Sequence, residues 1–179
     1  MVKTISVERI RKIKKAVPQI EKKVKVHFTF HKNKISFKGN ELNEFLVEEV
    51  VRALEFGFDI EDSLLLLEDD YDLKFINIKE HTKRKNLHDV RSRVIGRRGK
   101  AIRTIENLSD SRMVVQENQI GLIVNSSAVE MTMQAIESLI QGSKHGNIYS
   151  YLEKQRSNKD RRSFDDLGLK DGVHYLDEE

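Results

Sequence analysis

The chain has 179 residues, of which 38% are hydrophobic and 34% charged, with a formal net charge of +3 and no cysteine. That length holds one ordinary domain or two small ones, and the missing thiols exclude disulfide scaffolds and thiolate metal sites. No apolar run reaches the roughly 18 residues of a membrane span, and Met1–Ser6 is not followed by a run of signal-peptide length, so a cytoplasmic protein is expected. The charges fall in blocks: 12 basic and 2 acidic side chains in residues 1–38, 1 and 12 in residues 39–72, and 12 and 4 in residues 73–112. Such blocks create local potentials that the net charge hides. A polyanion could sit on the two basic blocks; the alternative is that the blocks of opposite sign pair with each other.

In chain order, Thr4–Val7 is a short strand candidate. Ile10, Ile13, Val17 and Ile20 follow at helical spacing, with lysines and arginines on the opposite face. Pro18, the one proline, is expected to break or restart that helix. Val24–Phe30 alternates with period two and reads as a half-buried strand, paired across Lys32–Lys34 with Ile35–Phe37. Residues 41–56 read as a helix with Leu42, Phe45, Leu46, Val50 and Leu54 on one face and Gly57 as its cap. A short apolar helix at 60–67 and the acidic stretch Glu68–Asp72 complete the first unit.

The order then repeats. Leu73–Ile78 is a strand, Asn86–Ile95 a helix stopping at Gly96, and Lys100–Leu108 a second helix. Arg112–Val115 and Ile120–Val124 form a hairpin across Glu117 and Asn118. A last helix, capped by a serine near Ser126 and Ser127, runs to Gln141. Two β-α-α-β-β-α units of similar length amount to a structural duplication, each with a three-stranded sheet on three helices. Residues 153–179 are charged and without sustained periodicity; they read as a mobile tail with one short docking element near Phe164 and Leu167.

The sharpest local signal is the run Val94-Ile95-Gly96-Arg97-Arg98-Gly99-Lys100-Ala101-Ile102-Arg103-Thr104-Ile105. Glycine at both ends lets a loop turn tightly, and no Cβ blocks a sugar-phosphate backbone. The second helix starts there, so its free N–H groups and positive dipole end face a ligand. Arg97, Arg98 and Lys100 add positive charge. The guest this chemistry suits is a single anionic strand.

The run resembles the KH signature, apolar-Ile-Gly-x-x-Gly-x-x-Ile-x-x-Ile, at each fixed position. The resemblance implies an α+β fold of two tandem type I KH-like domains that clamps single-stranded RNA by its backbone at this loop. The division expected is a degenerate KH-like domain over 1–58, a helical acidic joint over 59–72, the Gly-x-x-Gly domain over 73–152 and a charged tail over 153–179. The RNA-binding set is Val94, Ile95, Gly96, Arg97, Arg98, Gly99, Lys100, Ile102, Arg103 and Arg112. Ile95, Ile102 and Ile105 would help floor a base groove, with Ile105 also a candidate for plain core packing, and Arg112 would border the groove and read base edges. Lys83, Arg84, Lys85, Arg91 and Arg93 either extend the phosphate path or form a solvated charge run. The first unit has Arg11–Pro18 where the loop would stand, leaving Lys12, Lys14 and Lys15 for diffuse RNA contact or a protein-docking face.

Thr104–Ser109, Arg112–Val115, Leu139–Ser143, Gly146–Tyr149 and the joint Leu66–Tyr71 are together similar to the tandem-KH ribosome-assembly family, the partner-of-Nob proteins and their archaeal relatives. That resemblance implies binding to small-subunit ribosomal RNA near its 3′ end, within a pre-ribosomal small subunit. It also implies work beside the Nob endonuclease without chemistry of the chain's own, and without cofactor or metal. The alternatives are a protein-interaction scaffold with a vestigial KH fold, working through the acidic helix at 41–56 and the tail, and an enzyme such as a nuclease. His27 and His31 lie four apart on a strand with no third ligand nearby. Ala101 after Gly99-Lys100, and Val94 five residues before Gly99, do not fit a phosphate-binding loop of the nucleotidase type. Asp69, Asp70 and Asp72 lack the glycine and distant glutamate of a calcium loop.

Overall fold

The computed structural model describes residues 3–166. The first unit contains β1 (Lys3–Ser6), α1 (Ile10–Lys23), β2 (His27–His31), β3 (Lys34–Lys38) and α2 (Glu41–Phe56). A connecting piece follows, α3 (Ile60–Ser63) and a 3-10 turn at Leu64–Leu67. The second unit contains β4 (Tyr71–Asn77), α4 (Leu87–Ile95), α5 (Lys100–Ser109), β5 (Ser111–Gln116), β6 (Gln119–Asn125) and α6 (Val129–Gln141), followed by α7 (His145–Asp166). Both sheets are antiparallel, and their orders correspond: β1-β3-β2 and β4-β6-β5. The third strand of each unit is central, and the second is an open edge. The α+β class and the duplication are therefore as the sequence predicts.

The first unit departs from the predicted order in one element. Pro18 does not break the chain; α1 continues through it as one helix. Ile13, Ala16 and Ile20 are buried along one side while Pro18 is exposed. Apolar burial on one face holds the helix together across the residue that donates no N–H. One continuous helix stands where the second unit has two helices and a loop.

The helix at 41–56 has the predicted bounds, with Asn40 Oδ1 accepting from the Asn43 N–H at 2.7 Å. Its buried face, however, is Glu44, Val47, Val50, Val51, Ala53 and Leu54; Leu42 and Phe45, predicted inward, are 60% and 54% exposed. The last helix runs into the predicted tail: residues 145–166 are one helix, anchored by Ile148 and Leu152, which are buried in the second core just before residue 153. The Phe164 side chain and Leu167 lie outside the described residues. Asn125 caps the 3-10 turn Ser126–Ala128 that leads into α6, its side chain accepting from the Ser127 N–H, and α6 itself starts after Ala128, in place of a serine cap.

The second sheet is covered on both faces. Ile76, Met113, Ile120, Leu122 and Val124 face α4, α5 and α6. Leu73, Phe75, Val114 and Ile123 face the other way, into the core that contains Val50, Leu54, Phe58, Leu64 and Leu66. A central-strand glycine makes this contact possible: a Cβ on Gly121 would lie 2.6 Å from the Phe56 ring and 2.8 Å from the Phe58 ring. Arg9 and Gln116 add a polar tie at the rim. The Gln116 amide, oriented to satisfy both neighbours, accepts from Arg9 Nη2 at 2.8 Å and donates to the Phe56 carbonyl.

Candidate nucleic-acid interface

The loop between α4 and α5 is built by its backbone. α4 starts on Asn86, whose side chain accepts from the His88 N–H at 3.2 Å, and ends where the Gly96 N–H donates to the Ser92 carbonyl. Gly96 then turns with φ 73° and ψ 174°, a region open in practice only to glycine. Arg98 and Gly99 follow in left-handed conformations, with φ 54° and 74°. The Gly99 N–H returns to the Gly96 carbonyl at 3.1 Å, closing the bend. A Cβ on Gly96 would sit 2.5 Å from the Ala101 Cβ and 2.7 Å from its backbone nitrogen, whereas one on Gly99 would only touch the Arg103 guanidinium at 3.5 Å. The two glycines thus do different work: Gly96 admits the start of α5, and Gly99 supplies a left-handed step.

Arg103 locks the loop from one turn along. Its Nε donates to the Gly99 carbonyl at 3.2 Å, and its Nη2 donates to the Arg98 carbonyl. Arg97, Arg98 and Lys100 are exposed, and no side chain caps the N-terminus of α5. Beside them opens a cavity of about 620 Å³ lined by Arg97, Arg98, Lys100, Arg103, Thr104 and Asn107. Four cations and a helix N-terminus around one open trough favour a phosphate-bearing strand. On the opposite side of α5, Ile102 and Glu106 face the edge strand β5, where Glu106 Oε1 accepts from the Met113 N–H at 2.8 Å. Half-buried Ile102 and Ile95, 36% exposed, supply apolar surface there. Burial raises the pKa of Glu106, and the Met113 N–H and the Arg112 charge partly offset that rise.

The other predicted residues divide by what they touch. Val94 and Ile105 are fully buried and belong to the core under the loop. Arg112 is not on the groove side. Met113 faces the helices, so its neighbours point the other way; Arg112 pairs with Ile123 across the sheet and bonds Asp62 in α3 at 3.1 Å. The strand's period of two, together with the covered outer face, makes Arg112 a tie to the connecting piece. Arg93 is spent on the Gly142 and Ser143 carbonyls, at 3.1 and 2.6 Å, and Arg91 on the Glu117 carbonyl at 3.0 Å. Lys83, Arg84 and Lys85 are exposed. In α1, Lys12 bonds the Gly57 carbonyl and Asp59, Lys14 lies over the Phe30 ring at 5.2 Å, and Lys15 is exposed. Sequence reasoning missed Arg103's carbonyl bonds and Glu106's grip on β5. Spacing of i to i+4 from Gly99 to Arg103 was the available signal for the first; nothing short of the fold signals the second.

Residues 72–157 match a family model described as a eukaryotic-type KH domain (KH domain type I), the second of PNO1. A KH domain-containing protein of Methanocaldococcus jannaschii is 32% identical over 129 residues, covering 72% of this chain and 57% of the relative. The chain belongs to the PNO1-like KH family. Among its PNO1 relatives, the pre-rRNA-processing protein pno1 of Aspergillus fumigatus is 32% identical over 119 residues, 64% of this chain and 47% of that protein. The chain spans about half the length of the curated relatives it matches. A solved structure of an a/eIF2alpha–aDim2p–rRNA complex from Pyrococcus horikoshii superposes with a TM-score of 0.75 at 26% identity, covering 88% of this chain and 95% of that one. The PNO1-type KH match covers the unit that carries the Gly96–Gly99 loop and takes in the first part of α7.

Proposed function

We propose that this protein binds single-stranded RNA as a factor in small ribosomal subunit assembly and pre-rRNA 3′-end maturation. The observation that carries the reading is the Gly96–Gly99 bend. It presents exposed Arg97, Arg98 and Lys100 at an uncapped helix start beside an open cavity. The pre-rRNA-processing name of the fungal relative and the rRNA in the Pyrococcus complex support ribosomal RNA as the ligand. Ile95, Gly96, Arg97, Arg98, Gly99, Lys100 and Ile102 form the proposed contact set, with Arg103 holding the loop in shape and Val94 supporting it from the core. The RNA is small-subunit rRNA near its 3′ end, and the protein partners are a Nob-type endonuclease and the pre-ribosomal small subunit in the cytoplasm. The chain binds and positions without cutting. Residues 59–72 join the degenerate first domain to the RNA-binding one, and among the described residues no helix is long and apolar enough to cross a membrane.

The test is binding of a single-stranded oligoribonucleotide from small-subunit rRNA by the double variant Arg97→Asp, Arg98→Asp. Charge inversion at the phosphate contact should abolish measurable binding while thermal melting is unchanged. In the parent, the logarithm of affinity should fall with the logarithm of salt at about 0.7 per phosphate contacted. Unchanged affinity in the folded double variant would overturn the reading.

A further inference from the structure

A second cleft lies outside the loop just described. It has a volume of about 490 Å³ and opens between the two units, where α2, β1 and the start of α1 meet β4 and the β5–β6 hairpin. It runs into a recess of about 380 Å³, with which it shares Phe56, Gln116 and Gln119. Its floor is aromatic: Phe56 meets Phe75 edge-on with ring centres 5.0 Å apart. The Arg52 guanidinium lies over the Phe75 ring at 5.5 Å and is half exposed, and Glu49 Oε1 accepts from its Nη1 at 2.6 Å. That arrangement places a half-exposed planar cation over an aromatic ring. The exposed Gln119 carboxamide stands beside it, and Lys79 is exposed in the adjoining recess.

We propose that this cleft holds an unpaired RNA base of the strand that passes the Gly96–Gly99 loop. The inference rests on the RNA-binding reading above. Two observations favour a base over a phosphate. Glu8 and Glu55 line the cleft, and the Glu55 carboxylate is already taken by the Glu8 and Arg9 N–H groups at 2.7 and 3.1 Å. A phosphate would meet those carboxylates, whereas a neutral base would not. Unpaired bases stack on aromatic rings and on guanidinium planes, and a carboxamide can both donate to and accept from a base edge. The cleft is also linked to the loop's own element: Arg91 of α4, the helix that ends in the loop, bonds the Glu117 carbonyl at the tip of the hairpin that walls the cleft. Arg9 and the Phe56 carbonyl fix Gln116 as part of the wall and leave Gln119 as the group free to read.

The test uses the full chain and single-stranded small-subunit rRNA fragments of about four and about ten nucleotides, the shorter sized for the loop alone. Affinity is measured by fluorescence anisotropy for the parent and for Arg52→Ala, Arg52→Lys and Gln119→Ala, with thermal melts as the folding control. All three substitutions alter exposed side chains. The longer RNA should bind the parent about tenfold or more tighter than the shorter one. Both Arg52 variants should lose most of that gain, Gln119→Ala should lose part of it, and the shorter RNA should bind all four proteins alike. A 4-thiouridine near the end of the longer fragment should crosslink to the peptide containing Phe75. If Arg52→Lys restores the gain, the effect is charge alone and the base site is overturned. A parent that binds both lengths equally also overturns it while leaving the loop reading intact. A parent that binds neither overturns both.

Discussion

At the level of single residues, the loop separates side chains that shape from side chains that touch. Gly96 and Gly99 differ in what a methyl group would meet, and this gives a graded expectation. Gly96→Ala forces a glycine-only conformation and a collision with Ala101, and should cost about 3 kcal/mol of stability and with it RNA binding. Gly99→Ala takes up an ordinary left-handed step next to a movable guanidinium and should cost about 1 kcal/mol. Urea denaturation of the two variants checks the order. Glu106 offers a different handle. Burial lifts its pKa, so between the ordinary glutamate range and that raised value the folded chain keeps a proton the unfolded chain has lost. Stability therefore falls as pH rises from roughly 4 through that window and levels off above it. Glu106→Gln keeps an oxygen for the Met113 N–H and should lack that slope. Denaturant midpoints of parent and variant should diverge in the variant's favour with rising pH.

At the level of elements, α1 is the clearest case of tertiary context outweighing local preference. Pro18 sits in the ninth position of a 14-residue helix and removes one backbone hydrogen bond. The buried stripe of Ile13, Ala16 and Ile20 keeps the helix whole. Pro18 is exposed, so Pro18→Ala restores a donor without disturbing packing, and should raise stability by about 2 kcal/mol in urea melts. The same helix accounts for the first unit's missing loop. Where α4 stops at Gly96 and α5 begins four residues on, α1 has no glycine and simply continues, so it presents no bend to a backbone. Its lysines are partly occupied as well, Lys12 by Asp59 and Lys14 by the Phe30 ring. α7 shows the converse: a segment with little sequence periodicity is ordered as helix because Ile148 and Leu152 reach the second core.

At the level of the whole molecule, the outer face of the second sheet is an internal surface. Leu73, Phe75, Val114 and Ile123 share a core with α2 and the connecting piece, so the two units should unfold together. Phe58 is fully buried against Gly121 at that seam. Phe58→Ala should cost about 3–5 kcal/mol. Calorimetry should show one transition moved to lower temperature, not a split into two. The acidic block also finds its place at this scale. Asp59 pairs with Lys12 and Glu68 with Lys23, both in α1, and Asp62 pairs with Arg112 across the seam, so part of the negative block neutralises the basic ones. Arg97, Arg98 and Lys100 lie outside that pairing and retain their charge for a ligand.

The sequence by itself determined the duplication, the sheet-forming segments, the bounds of α2 and the loop from Gly96 to Gly99. Those depend on apolar period and on glycine, both of which act over a few residues. Only the tertiary structure decided which way Arg112 points, that Val94 and Ile105 lie beneath the loop, that Pro18 leaves its helix intact and that α7 packs. Each of these depends on what covers a face, and the partners that cover it stand tens of residues away along the chain.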